Sequence, residues 1–431
     1  MSTQTAEAAA PSERTSWLKR IDLGQYGITL ALVAVVVFFE VMTGGRLLRS
    51  NNVASLIQQN AYVIIMAIGM LMIIIAGHID LSVGSLIAFI GGVLGIAMAQ
   101  WNLPWGLAVV LALAIGVAVG AWQGFWVAFV GIPGFIVTLA GMLLFRGLAI
   151  VIVPQTIAPL PSGFVQIANA GILGWFAYIG VYDVFTIVLG VVLAAVFAVS
   201  QLRRRASLVK HGLVVEPLWL AVVKMVGVGV FVIAFAFILA GSAIGLPFVL
   251  VICAVLVLVY AFVLNKTTFG RYIYAVGGNR EAAKLSGISV RSINFWIFVN
   301  MGLLAAIGAI VTTSRAGAAV SAAGQNYELD VIAACFIGGA AVGTVTYLVS
   351  LRGGFTGLRF ILVGIAISSM LISVNRWLLV RVDDDEGLGA LKAITGTLGA
   401  ARWSVVAPTS LAIALVLALM LPVARHLLHR R

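Results

Sequence analysis

Continuous apolar runs of roughly twenty residues recur along nearly the whole chain, and each is about as long as a helix must be to cross the hydrocarbon of a bilayer. Trp105 to Val130 and Phe135 to Val153 are two such runs, joined by Gly131-Ile132-Pro133-Gly134. The runs do not alternate apolar and polar at every second residue, as barrel strands do, so helices are the structure that satisfies their backbone groups in lipid. The chain has 431 residues, 62% hydrophobic and 9% charged, far below the charged fraction of about 25% in soluble domains. The expectation is an all-α, polytopic transmembrane helical bundle of about 11–12 spans, some of them broken.

The net charge of +12 does not point to nucleic acid, because the basic residues sit mostly in loops between spans. Lys and Arg concentrate on the cytoplasmic side of membrane proteins. On that rule a tail over 1–26, with Arg14, Lys19 and Arg20, is cytoplasmic. So are the Arg203-Arg204-Arg205 loop, the stretch from Lys266 to Arg291, Arg352 and the segment Arg425 to Arg431. Asp383 to Glu386 falls outside. The run Gly27 to Thr43 lacks a small-residue cleavage site, so the tail reads as uncleaved. Glu40 lies near the outer end of that first span, and Pro154 to Asp183, with three prolines and little charge, reads as an external loop.

Catalytic chemistry finds no support. His78, His211, His426 and His429 have no metal-ligand spacing, and no GxSxG or HExxH is present. Cys253 and Cys335 lie in separate apolar runs as packing residues. No lysine stands in a phosphate-binding loop, so nucleotide hydrolysis would have to come from a partner. No catalytic residue, metal or cofactor is expected. Gly227-Val228-Gly229 sits inside an apolar run, where close helix packing explains it better than a nucleotide fingerprint.

Two places break the apolar monotony. The first is TTFGRYIYAVGGNREAAKLSGISV, from Thr267 to Val290. Gly277 and Gly278 punctuate it, Asn279 is a good N-cap, Glu281 sits in a first turn where the dipole favours an anion, and Gly287 ends the helix. That predicts one short helix, Arg280 to Ser286, with Ala282 and Ala283 presenting a flat surface that a partner's groove could approach; an ordinary solvated loop is the alternative. The second is AGHIDLSVGS, around Asp80, Ser82 and Ser85, between apolar runs ending at Ala76 and Ala99. Asn51 to Asn60 is too polar to span alone, so this reads as a broken helix pair. A carboxylate at the bilayer centre costs about 2.5–3.5 kcal/mol. Asp80 should therefore cap a helix beginning near Val83, with Ser82 as the other candidate cap, or contact a transported substrate. Farther on, Gln325, Asn326, Tyr327, Glu328 and Asp330 suit an external mouth, a re-entrant lining or a plain outer loop, with Asp330 a candidate cap.

These same residues carry a resemblance. Glu281-Ala282-Ala283, three residues, then Gly287 resembles the EAA loop by which permease subunits of bacterial binding-protein-dependent ABC importers dock on their ATPases. GRYIYAVGGNREAAKLSGI, IPGFIVTLAGMLLFRG and AGHIDLSVGS resemble the sugar branch, the ribose, galactose and xylose permeases, with His78 replacing a glycine of the pattern. The xylose or multiple-sugar members are the most similar. The resemblance implies a sugar importer subunit of the bacterial inner membrane, working by alternating access with ABC ATPase subunits, a second permease copy in a homodimer, and a periplasmic sugar-binding protein. It implies ATPase coupling through Gly277, Gly278, Asn279, Glu281, Ala282, Ala283 and Gly287. A translocation path along Asp80, Ser82, Ser85, Gln325, Asn326 and Glu328 is a further expectation. A sugar-permease-like domain would cover 27–341, with its coupling loop at 265–294. From about Arg352 the wording is similar to iron-siderophore and vitamin permeases, giving a distinct segment over 342–431. The alternative functions are an ion- or proton-coupled secondary carrier, with Asp80, Glu328 or Asp330 as the coupling acid, and a siderophore-type permease.

Overall fold

The computed structural model describes residues 23–173, 177–212 and 218–336. All belong to one compact unit, Met1–Gly354, and a second unit, Phe355–Arg431, lies outside them. The expectations for the tail before Leu23 and for the segment 342–431 therefore fall outside the described residues.

Twelve named helices carry the described fold. The first, α1 (Leu23–Met42), starts four residues before Gly27, and Glu40 near its end accepts the Leu48 N–H at 2.9 Å. Ser50–Ile75 is one helix, α2, of 26 residues. The polar stretch Asn51 to Asn60 is thus its opening turns: Asn51 and Gln58 are taken up by other segments, the first accepting the Ala243 N–H at 2.8 Å and the second donating to the Asn169 carbonyl at 3.2 Å. The chain breaks over 76–82 and resumes as α3 (Val83–Ala99). The break is present, but α2 is long enough to span unaided, so the pair is not two half-helices.

The expected spans at Trp105 and Phe135 appear as α4 (Trp105–Phe125), continued by a π-helical turn to Val130, and α5 (Gly134–Ile152). Prolines at 104 and 133 directly precede them, as suits residues with no N–H to leave unpaired. The expected external loop after Pro154 holds a short helix, α6 (Ser162–Asn169), with Phe164 and Ala168 fully buried. It packs into the bundle because Ser314 Oγ donates to the Phe164 carbonyl at 2.8 Å and accepts the Ala168 N–H at 2.9 Å.

Next come α7 (Val184–Lys210) and α8 (Leu218–Ala240), which pack chiefly on each other. The helix α7 runs on through Arg203-Arg204-Arg205, which are therefore helical and not in a loop. Its contact with α8 is made at Gly190, where a Cβ would stand 2.3 Å from Ala236 Cβ. The packing expected at Gly227 and Gly229 is not there: a Cβ on Gly227 would meet nothing, and one on Gly229 would only touch Ala194 at 4.0 Å.

After α9 (Phe248–Lys266), the polar island folds as two helices instead of one, α10 (Thr268–Gly278) and α11 (Arg280–Leu285). The last of the twelve, α12 (Val290–Ala316), is the axis of the bundle, packed against α2, α3, α4 and α6. Small residues allow the closest crossing: a Cβ on Gly302 would lie 2.1 Å from the Gly116 carbonyl, and one on Gly120 2.4 Å from the Phe298 carbonyl. Cys253 and Cys335 are both buried free thiols. Among the described residues seven helices are long and apolar enough to cross a membrane.

Candidate functional site

At one end of the bundle, α10 lies against the end of α2. Its apolar face, Ile273 and Val276, is buried, while Tyr272 and Tyr274 are exposed. The approach is so close that a Cβ on Gly277 would stand 1.9 Å from the Ile75 carbonyl oxygen. Gly277 and Gly278 thus form the last turn of a helix, and the punctuation is Asn279, in extended backbone at φ −152°. Asn279 Oδ1 accepts the Ala282 N–H at 3.0 Å, starting α11, with Glu281 in the first turn. Gly287, at φ +81°, follows the helix; its N–H bonds the Lys284 carbonyl at 3.0 Å and Ile288 N–H bonds the Ala283 carbonyl at 3.0 Å. This is the left-handed terminator that glycine adopts without strain. Ser286 is the C-cap and not a helical residue. The flat surface expected from Ala282 and Ala283 is also different. Ala283 is buried against the bundle, and the exposed face carries Glu281, Ala282, Lys284 and a Leu285 that is 89% exposed.

The second site lies inside the bundle, at the break. Asp80 is 2% exposed, and its Oδ1 accepts both the Ser82 N–H at 2.8 Å and the Ser82 hydroxyl at 2.7 Å. Ser82 occupies the N-cap position of α3 without a side-chain cap bond, because its hydroxyl is turned to Asp80. Gln123 of α4, also buried, donates from Nε2 to Ser82 Oγ at 2.8 Å. Gln123 carries no local signal in the sequence, since it sits in an otherwise apolar span. It is visible only as one polar side chain facing a break that is 41 residues away. Ser85 is buried one residue past Gly84.

The residues after α12 fold back into this region. Ala319 lies against Gly95, and Gly324 reaches down to Gly84, where either backbone would meet a Cβ on the other at 2.1–2.2 Å. The segment is re-entrant in that sense. Arg146 of α5 holds it, donating from Nη1 to the Ser321 and Ala323 carbonyls at 2.8 Å each. Gln325 is exposed, and Asn326 takes a positive φ of 65° at the turn into a helix over 327–336. Glu328 Oε2 lies 2.3 Å from where a Gly84 Cβ would stand, so it packs on the first turn of α3, two residues past Ser82. Asp330 is not a cap: it is already helical, and its Oδ2 accepts the Tyr62 hydroxyl at 2.9 Å. Tyr62 also stacks on Tyr327 at 3.6 Å between ring centres. Among the described residues no group of three or more His, Cys, Asp or Glu gathers to hold a metal ion.

A bundle of membrane-length helices, with a break between α2 and α3 and a re-entrant segment facing it, is a multi-pass membrane protein. Comparison with known families agrees: residues 52–382 match the branched-chain amino acid transport system / permease component family, and the chain belongs to it. The chain is 36% identical over 354 residues to the xylose transport system permease protein XylH of Haemophilus influenzae, covering 82% of this chain and 90% of that one. XylH of Escherichia coli K12 is also 36% identical, over 338 residues, 76% of this chain and 81% of the relative. The ribose import permease protein RbsC of Escherichia coli K12 is 30% identical over 314 residues, 72% and 77% respectively. No solved structure matches.

Proposed function

We propose that this chain is the permease subunit of an ATP-driven ABC importer. It translocates a monosaccharide, a pentose such as xylose or several monosaccharides, into the cytoplasm by alternating access. Partner ATPases supply hydrolysis, a periplasmic sugar-binding protein delivers the substrate, and a second copy completes the permease. The observation that carries this reading is the α10–α11 unit. It is braced on the end of α2 at Gly277, and α2 leads within a few residues into the Asp80 break. A load applied to α11 is thereby passed to the element that borders the candidate path. The relatives named for xylose and ribose transport supply the substrate class.

In this reading the tail and the α10–α11 unit are cytoplasmic, and residues 27–341 form the sugar-permease-like domain, followed by a distinct segment over 342–431. Gly277, Gly278, Asn279, Glu281, Ala282, Ala283 and Gly287 form the coupling unit, with Ala283 and Gly277 facing the bundle and Glu281 and Ala282 facing the ATPase. Asp80, Ser82, Ser85, Gln325, Asn326 and Glu328 border the path. The test is [14C]xylose and [14C]ribose uptake by cells carrying the full transporter, with co-purification of the ATPase, comparing the parent with Glu281→Lys. Loss of both uptake and ATPase association is expected. Normal values for both in a variant present at normal abundance would end the coupling claim.

A further inference from the structure

Resting on the importer orientation just given, we propose that Arg203, Arg204 and Lys210, at the end of α7, form a binding surface for the headgroups of anionic phospholipids in the inner leaflet. Between Val184 and Asn265 the sequence sets one acid, Glu216, against Arg203, Arg204, Arg205, Lys210 and Lys224. Such an excess fixes the orientation of a span. Orientation alone, however, asks only that cations follow the span, and makes no demand on their depth or on the side of the helix they occupy.

Their depth follows from helix length. Asp183 caps the other end of α7, its Oδ2 accepting the Thr186 N–H at 2.9 Å. A helix crosses the hydrocarbon in about twenty residues, a length used up near Arg203, about two turns before α7 ends at Lys210. The partner helix agrees. Gly190 lies against Ala236 and Ala194 faces Gly229, so α7 and α8 run antiparallel in a register that sets residues 203–205 level with the opening turns of α8. Trp219 stands there, 65% exposed, and tryptophan collects at the headgroup level of a bilayer.

Their side follows from spacing. Residues three, four and seven apart share one face of a helix, so Arg203, Ser207 and Lys210 form a stripe with Arg204 at its edge, all of them exposed. Among the described residues none of these three cations has an ion-pair or hydrogen-bond partner. Followed back into the membrane, the same stripe is Val199, Val196 and Val192, each exposed. Cations at the interface with an unbroken apolar track beneath them match an amphiphile with an anionic head: the valines give its acyl chains a wall, and guanidinium groups pair bidentately with phosphate oxygens. A soluble partner such as the ATPase reaches the cations but not the valines. The two helices have need of such a hold, since apart from each other they lean chiefly on α2 and on residues 182–183.

The experiment places a bimane reporter on Ser207→Cys in the full permease with its ATPases, both native cysteines being buried. The complex sits in phosphatidylcholine nanodiscs that carry a small share of doxyl-labelled phosphatidylglycerol or, in the matched sample, doxyl-labelled phosphatidylcholine. Quenching by phosphatidylglycerol is expected to exceed quenching by phosphatidylcholine about threefold or more, and to fall to parity in Arg203→Gln/Arg204→Gln/Lys210→Gln. A reporter on Ala261→Cys, exposed near the inner end of α9, should give the same ratio with and without those substitutions. Parity in the parent, or an undiminished preference in a triple variant of normal melting temperature, would overturn the proposal. So would loss of the preference in excess inorganic phosphate, which would assign the cations to a soluble anion. Labelling of Ser207→Cys by a membrane-impermeant maleimide from outside whole cells would instead overturn the importer orientation. Nanodiscs present both leaflets alike, so the lipid ratio is read independently of that outcome.

Discussion

Gly277 and Ile75 touch backbone to backbone: no side chain, not even a methyl group, fits between the last turn of α10 and the carbonyl that ends α2. Gly278, the next residue, faces open space. The pair gives a matched experiment. Gly277→Ala should displace α10 from the bundle at a cost of about 1–3 kcal/mol, the usual range for overpacking, and reduce ATPase association and uptake, while Gly278→Ala should leave both near normal. Equal behaviour of the two variants in a co-purification assay would show that the contact does not transmit coupling.

Gly287 is constrained differently. A Cβ there would meet nothing, so added bulk is not sterically blocked, and the demand is on backbone conformation, at φ +81°. Gly287→Ala should cost about 1 kcal/mol in the local terminator, loosening α11 without disturbing the bundle. Amide exchange should rise over 280–288 and not in α12; exchange unchanged in α11 would contradict this.

Asp80 and Ser82 separate structure from charge. Asp80→Asn keeps an oxygen for the Ser82 N–H and hydroxyl, so folding and much of the transport should persist. Ser82→Ala strands the Gln123 amide in a buried place and should destabilise by about 1–3 kcal/mol, read as a lower melting temperature in nanodiscs. A folded, abundant Asp80→Asn protein with no uptake and a shifted pH optimum would favour the proton-coupled carrier instead.

Arg146 is a positioning residue for the re-entrant segment. Arg146→Leu removes the donor to two carbonyls, and Gly84→Ala drives a methyl group into the Gly324 backbone. Both should raise the accessibility of a cysteine placed at Ala322 to a maleimide reagent. Unchanged labelling rates in both would mean the segment is held by other contacts.

Much of this was legible in the residues. Apolar length marked α4 and α5 within a residue or two, because a span in lipid has no other way to satisfy its backbone. Asn279, Glu281 and Gly287 marked α11, because a helix must be capped by what lies within a few residues of its ends. Local rules did not reach the partners across the bundle. The helix α10 was missed because its amphipathic stripe is interrupted by glycines, and one of those is required by a carbonyl two hundred residues earlier. The burial of Ala283 escapes the sequence for the same reason: which side of a six-residue helix is covered depends on where α10 and α12 stand.

Length, hydropathy and charge placement by themselves thus determined that this chain is a multi-pass helical membrane protein with a long polar segment between two of its spans, since insertion and capping are local free-energy choices. Only the tertiary structure decided that Gln123 answers Ser82, that Gly324 descends to Gly84, and that Arg315 joins Ser55 of α2 to Asn169 of α6. Those pairings join residues far apart in sequence, and what selects them is close packing of small residues and the satisfaction of buried polar groups, which no single segment can specify alone.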